Sequence, residues 1–138
     1  VRRHGGNLFH FFPYVLSARK QLRERLPRFP EYRDRALQIA AVLREIPGIR
    51  VRPDPPQTNM MHLFLEGDRE QLLARALQIA EEEQVALIRY LAPTAVPGIS
   101  MFELTVGDAA SELSYQEIGE LFERVMGQLT FAAAGGGT

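Results

Sequence analysis

The stretch NMMHLFLEGDREQLLARALQIAEEE, residues 59–83, changes its hydrophobic period halfway, and that change decides the fold. Its first seven residues, Asn59 to Leu65, are nearly all apolar, which suits a central strand covered on both faces. At Gly67-Asp68 the chain turns. Asp68 is placed to cap a helix, with Gln71 at the capping-box position three residues on. Leu72, Leu73, Ala76, Leu77, Ile79 and Ala80 then recur at the steps of one buried helical face, and Glu81-Glu82-Glu83 gives a solvated end.

Working outward, Ile49 and Val51 alternate with Arg50 and Arg52, as in a short strand with one wet side. Pro53-Asp54-Pro55-Pro56-Gln57 is a stiff connector between the two strands. Downstream, the branched residues of Val85 to Leu91 predict a third strand. The Pro93–Gly98 connector leads to a fourth, Ile99 to Val106. Ser114 with Glu117 forms a second capping box. It opens the strongest helical stripe of the chain: Tyr115, Ile118, Leu121, Phe122, Val125, Met126 and Leu129. Upstream, Val15, Ala18, Leu22 and Leu26 mark one helix from Pro13 to Leu26. Pro27 and Pro30 interrupt it, and Tyr32, Ala36, Ile39, Ala40 and Leu43 line the next until Pro47-Gly48.

The economical packing of these elements is an α+β fold. A small, mostly antiparallel four-stranded sheet carries helices on one face and is preceded by two helices. Residues 1–48 form the helical segment and 49–131 the small α+β domain. Residues 132–138 have no reason to order.

Composition narrows the function. The 138 residues are 46% hydrophobic and 24% charged, ordinary for a globular domain. A formal charge of −1 gives no general attraction to nucleic acid or anionic lipid. No apolar run approaches the roughly 20 residues that span a bilayer, so the cytoplasm is the default location. Without cysteine there is no disulfide, thiolate metal site or thiol nucleophile. Of sixteen basic residues only Lys20 is a lysine, and it falls on the polar side of its helix. The start at Val1, directly into Arg2-Arg3-His4-Gly5-Gly6, suggests a piece of something longer.

Arg2-Arg3-His4-Gly5-Gly6 is the most suggestive polar cluster, because cations beside glycine-exposed amides can hold a phosphate or carboxylate. An exposed basic terminus with a turn is the plainer reading. Thr58 and Asn59 stand at a strand entry, where side chains either reach a cleft or satisfy turn backbone. His62 reads as a core histidine rather than a base, since no carboxylate partner can be assigned to it. Glu103 and Asp108 read as a wet strand face and a loop acid before a paired acid/base site. His4, His10 and His62 lack a local metal-ligand spacing. No phosphate-loop, nucleophile-elbow or HEXXH motif occurs.

The order of features resembles a known family. It runs Arg2-Arg3-His4-Gly5-Gly6-Asn7-Leu8-Phe9, Pro13, Ser17-Ala18-Arg19, Leu26-Pro27-Arg28, Tyr32, Ala36 and Ile46-Pro47-Gly48-Ile49, then Pro55-Pro56-Gln57-Thr58-Asn59-Met60-Met61-His62-Leu63. From Arg2 to about Leu129 this resembles the C-terminal part of the threonine aldolase and β-eliminating lyase family, pyridoxal-phosphate enzymes of the aspartate-aminotransferase fold. The Glu103–Asp108 segment resembles one branch of lyase-like sequences.

The resemblance implies the tail of a large domain plus a small C-terminal domain. The Schiff-base lysine, the ring-stacking histidine and the aspartate for the pyridine nitrogen would lie upstream of Arg2. It implies a cofactor loop at Arg2, Arg3, Gly5 and Gly6 and a cleft wall at Thr58 and Asn59. In the intact enzyme it implies cleavage beside the α-carbon of an amino acid, or β-elimination. Family members carry an arginine before the last helix for the substrate carboxylate. Gly98 to Asp108 has none, so Arg89 is the nearest basic residue to substitute, and the substrate stays open. The chain alone is then inactive, with the missing large domain and further copies of itself as partners. The alternatives are a free-standing α+β binding or dimerisation module and a lyase-derived pseudoenzyme. In either lyase case, apolar residues of Leu8–Val15 and the first helical face are expected to stand uncovered.

Overall fold

The computed structural model describes residues 11–108 and 112–127. Helix α1 (Phe12–Glu24) is followed by a single 3-10 turn (Leu26–Arg28) and α2 (Phe29–Leu43). Then come β1 (Ile49–Arg52), β2 (Met60–Glu66), α3 (Arg69–Glu83), β3 (Ala92–Pro93), β4 (Ile99–Thr105) and α4 (Tyr115–Met126). Contacts divide the chain into two compact units, 1–31 and 32–138. The division falls upstream of the expected boundary at 48 because Tyr32, Ala36, Ile39, Ala40 and Leu43 of α2 are buried. From Ala36 on, these join the core of the sheet-bearing unit.

In the first unit, Pro13 lies in the first turn of α1, where its missing N–H costs nothing. No residue of α1 is buried.

In the second unit the sheet has the order β1-β2-β4-β3. Neighbouring strands are antiparallel throughout, with Val51 opposite Leu63 and Leu63 opposite Phe102. Side chains alternate across a strand, so Ile49, Val51, Met61, Leu63, Leu65 and Ser100 share one face and are buried. The other face of β2 is only half covered at His62 and Phe64, and Met60 is exposed. The apolar run at 59–65 led to an expectation of cover on both faces. The helices cover one.

Asp68 caps α3, its carboxylate accepting the Gln71 N–H at 2.9 Å. Leu72, Ala76 and Ile79 are buried as expected, while Leu77 faces solvent. The capping box of α4 is complete: the Ser114 hydroxyl accepts from the Glu117 N–H at 3.1 Å, and Glu117 Oε2 accepts from the Ser114 N–H at 2.7 Å. The hydrogen bonds from Ser114, its backbone N–H first, hold the Glu117 carboxyl below its ordinary pKa. Arg75 of α3 donates to the Val125 carbonyl at 3.3 Å, placing a cation at the negative end of α4.

The third strand is shorter than expected and begins later in the chain. Val85 to Leu91 is irregular, and β3 comprises only Ala92 and Pro93. Ile88 and Leu91 are both buried. A strand's period of two would send residues three apart to opposite faces, so the chain leaves the ladder to bury both. Pairing begins only at Ala92, opposite Met101.

Candidate functional site

A cleft of the second unit lies beside the irregular segment that precedes β3. About 660 Å³ of space lies between the 84–89 segment, β4 and the start of α4. Phe102, Leu104 and Phe122 give it apolar walls, and Arg89, Glu103 and Glu112 bring charge to it. That volume and mixture suit a small organic molecule with one or two ionic groups.

The edge of β4 at this cleft is open. The Val106 N–H bonds to the Asn59 carbonyl at 2.7 Å, fixing which residues turn toward β2. Alternation then turns the backbone groups of Glu103 and Thr105 to the outer edge. Beyond Met101 no described strand pairs with that edge. The cleft therefore offers backbone donors and acceptors as well as a guanidinium.

On the uncovered face of the sheet, Arg52, His62 and Glu103 form a row across β1, β2 and β4. His62 Nε2 lies 3.7 Å from Glu103 Oε2, with both side chains partly exposed. This is an ion pair when the imidazole is protonated, and the separation is too long for a hydrogen bond. At that distance Glu103 is a charge partner of His62 and not a hydrogen-bonded orienting group. The partner that sequence could not assign to His62 is thus Glu103, and His62 is half exposed instead of enclosed in the core. The missing signal was the β2–β4 register.

The other expected residues have specific places. Thr58 Oγ1 accepts the Met60 N–H at 3.2 Å, and the Asn59 side chain donates to the Val106 carbonyl at 2.8 Å. Both close backbone at the strand entry, and neither lines the cleft that holds Arg89. Arg89 reaches the cleft from the irregular segment, not from the sheet. Glu103 and Asp108 are used separately: Asp108 Oδ1 accepts the Tyr32 hydroxyl at 2.6 Å. Arg2, Arg3, Gly5 and Gly6, with residues 132–138 and Leu129, lie outside the described residues.

The described residues do not fit the covalent anchor of pyridoxal phosphate. Lys20 is the only lysine, its side chain is 69% exposed on α1, and it stands 3.9 Å from Glu24. An amine held in water by a neighbouring carboxylate lacks the enclosed setting such a linkage uses. Among the described residues, no cluster of three or more histidines and acids could hold a metal. No described helix is long and apolar enough to cross a membrane.

No protein-family model matches the chain, and neither does any curated protein. Two solved structures do. A protein of Exiguobacterium sp. 255-15, described as an aromatic amino acid beta-eliminating lyase/threonine aldolase, matches at 31% identity with a TM-score of 0.77. A protein of Listeria monocytogenes EGD-E, described as an L-allo-threonine aldolase, matches at 29% identity with a TM-score of 0.78. Each match covers 93% of this chain, but only 36% and 35% of the respective relative. The chain thus spans about a third of the length of these relatives. In sequence and fold it corresponds to the C-terminal part of the threonine aldolase and β-eliminating lyase family.

Proposed function

We propose that this chain works as the C-terminal part of a pyridoxal-phosphate-dependent lyase acting on amino acids, by threonine-aldolase-like cleavage or β-elimination. It is inactive alone and works with a large domain, in the cytoplasm, within a homo-oligomer. The carrying observation is the match of 93% of the chain to about a third of two such proteins. The cofactor supplies an electron sink for bond breaking at an amino acid, and the exposed Lys20 supports placing its anchor elsewhere. In this reading the Arg2-Arg3-His4-Gly5-Gly6 segment meets the cofactor. Arg89, at the cleft beside β4, takes the substrate carboxylate that no arginine of Gly98–Asp108 can take. Thr58 and Asn59, expected at a cleft wall, act in this reading by holding the backbone of the strand entry.

Mixing this chain with pyridoxal phosphate is expected to give no stoichiometric yellow species and no turnover. The longer protein that includes the large domain is expected to give both, releasing aldehyde from a β-hydroxy amino acid. A stoichiometric absorbance band in this chain, abolished by Lys20→Ala, refutes the reading. For Arg89, substitution by alanine in the longer protein is expected to raise KM for the amino acid about tenfold or more, the worth of a charge-assisted carboxylate contact. Cofactor absorbance should be unchanged. An unaltered KM removes Arg89 from the substrate site.

A further inference from the structure

The cleft beside β4 holds more than a site for one carboxylate needs. Threonine's side chain, a methyl and a hydroxyl on one carbon, fills little of its volume of about 660 Å³. The lining divides in two. Phe102 and Leu104 lie opposite Leu63 and Met61 of β2, so they share the helix-covered face and form an apolar wall with Phe122. Glu103, between them in sequence, alternates to the other face of the strand. Its carboxylate therefore stands across the strand edge from that wall. Glu112 brings a second carboxylate from the segment before α4.

These charges do not cancel among themselves. Among the described residues, the side chains of Arg89 and Glu112 make no ion pair or hydrogen bond, and Glu103 has only the 3.7 Å contact with His62. With Arg89 on the substrate carboxylate, two acids remain on one cleft. They favour a ligand that carries a positive charge besides its carboxylate. The α-amino group is not that charge, because it is where the cofactor's chemistry engages an amino acid.

The two halves of the lining then narrow the side chain. An aromatic ring would suit Phe102, Leu104 and Phe122, but it would strip water from Glu103 and Glu112 and offer them no partner. A short polar side chain would leave the apolar wall bare. A long methylene stem with a cationic head meets both demands, since the stem lies on apolar surface while the head keeps to carboxylates and water.

We propose that this cleft selects β-hydroxy amino acids with long basic side chains, Arg89 taking the α-carboxylate and Glu103 and Glu112 the side-chain cation. The reaction rests on the lyase reading, and the selectivity rests on the lining of the cleft. In the cleavage the bond between the α- and β-carbons breaks, the β-hydroxyl loses its proton and the α-carbon gains one. The products are glycine and an aldehyde that keeps the basic group.

Calorimetry of the longer protein with its cofactor is expected to show L-lysine binding about tenfold more tightly than L-norleucine, the worth of a hydrogen bond between charged groups. Norleucine has the same carbon stem without the amine. Glu112→Gln, an isosteric change at an exposed residue, should cut that ratio to about threefold or less. Glu103→Gln should act in the same direction, and neither variant should alter norleucine binding. In turnover, kcat/KM for 3-hydroxylysine should exceed that for threonine and for β-phenylserine. Equal binding of lysine and norleucine, a ratio untouched by both glutamine variants, or faster turnover of β-phenylserine overturns the proposal. A preference for lysine without turnover of any β-hydroxy amino acid upholds the cation site and refutes the lyase reading.

Discussion

Truncating Phe122 to alanine is expected to destabilise the sheet-bearing unit by about 4 kcal/mol, the usual cost of emptying a fully enclosed aromatic site. Phe122 has no accessible surface and lies at the centre of the α4 stripe, among core residues drawn from α2, α3 and the sheet. Elements on several sides would have to move together to fill the space, so collapse can relieve little of the loss. For a unit of this size the melting midpoint should fall by roughly 20 °C. In denaturant the midpoint should drop while the slope stays constant, the sign of lost stability without a changed unfolded state. Phe122→Leu should cost less than half as much, because most of the volume is retained. A Phe122→Ala loss under about 1 kcal/mol would mean that α4 is not docked as described. Phe122 also lines the cleft that contains Arg89, so the same substitution enlarges the cleft in any molecules that stay folded.

Where local chemistry and tertiary packing agree, the fold was legible from the residues. Asp68 and Ser114 announced the starts of α3 and α4, and both side chains cap the helices where expected. The stripe of α4 named Ile118, Leu121, Phe122 and Val125, all buried. The reading failed at Val85–Leu91, because branched composition reports strand propensity and not alternation. Ile88 and Leu91, three apart and both enclosed, violate the period of a strand. It failed again on the second face of β2. An apolar run cannot say whether a layer exists to cover it, and here His62 and Phe64 remain half exposed.

The candidate site was less legible for a related reason. Its parts are brought together by register and by an interruption in the sheet, and neither is written in local spacing. Glu103 could be recognised as the acid of a wet strand face, but its pairing with His62 follows only from the β2–β4 alignment. Arg89 could be named only as the nearest cation to an arginine-free segment. Its position at a cleft follows from the irregular segment that carries it. The family resemblance was carried by the order of short motifs along the whole chain, which survives where individual spacings are ambiguous.

Gly119 shows how a residue invisible to hydrophobic patterning can fix the layer above the sheet. It sits inside α4, where glycine lowers helix stability by about 1 kcal/mol relative to alanine, and it is buried. A β-carbon built on it would overlap Val42 Cγ1 of the segment that includes α2, and the helix's right-handed backbone needs no glycine there. Close approach of the two helices is therefore the reason for this residue. Gly119→Val is expected to destabilise the unit by about 3 kcal/mol, the upper part of the usual range for overpacking a core. Valine at 42 is stiff about its first side-chain torsion and cannot swing clear cheaply. Val42→Ala should remove the overlapping methyl. In the double variant with Gly119→Val, a coupling of about 1–2 kcal/mol should then return much of the loss, as for residues in direct contact. Chemical denaturation of the four proteins of the cycle measures this. Additive effects would show that the helices do not meet at Gly119, whereas recovery in the double variant ties the spacing of α2 and α4, and with it the cleft wall at Ile118 and Phe122, to the absence of one side chain.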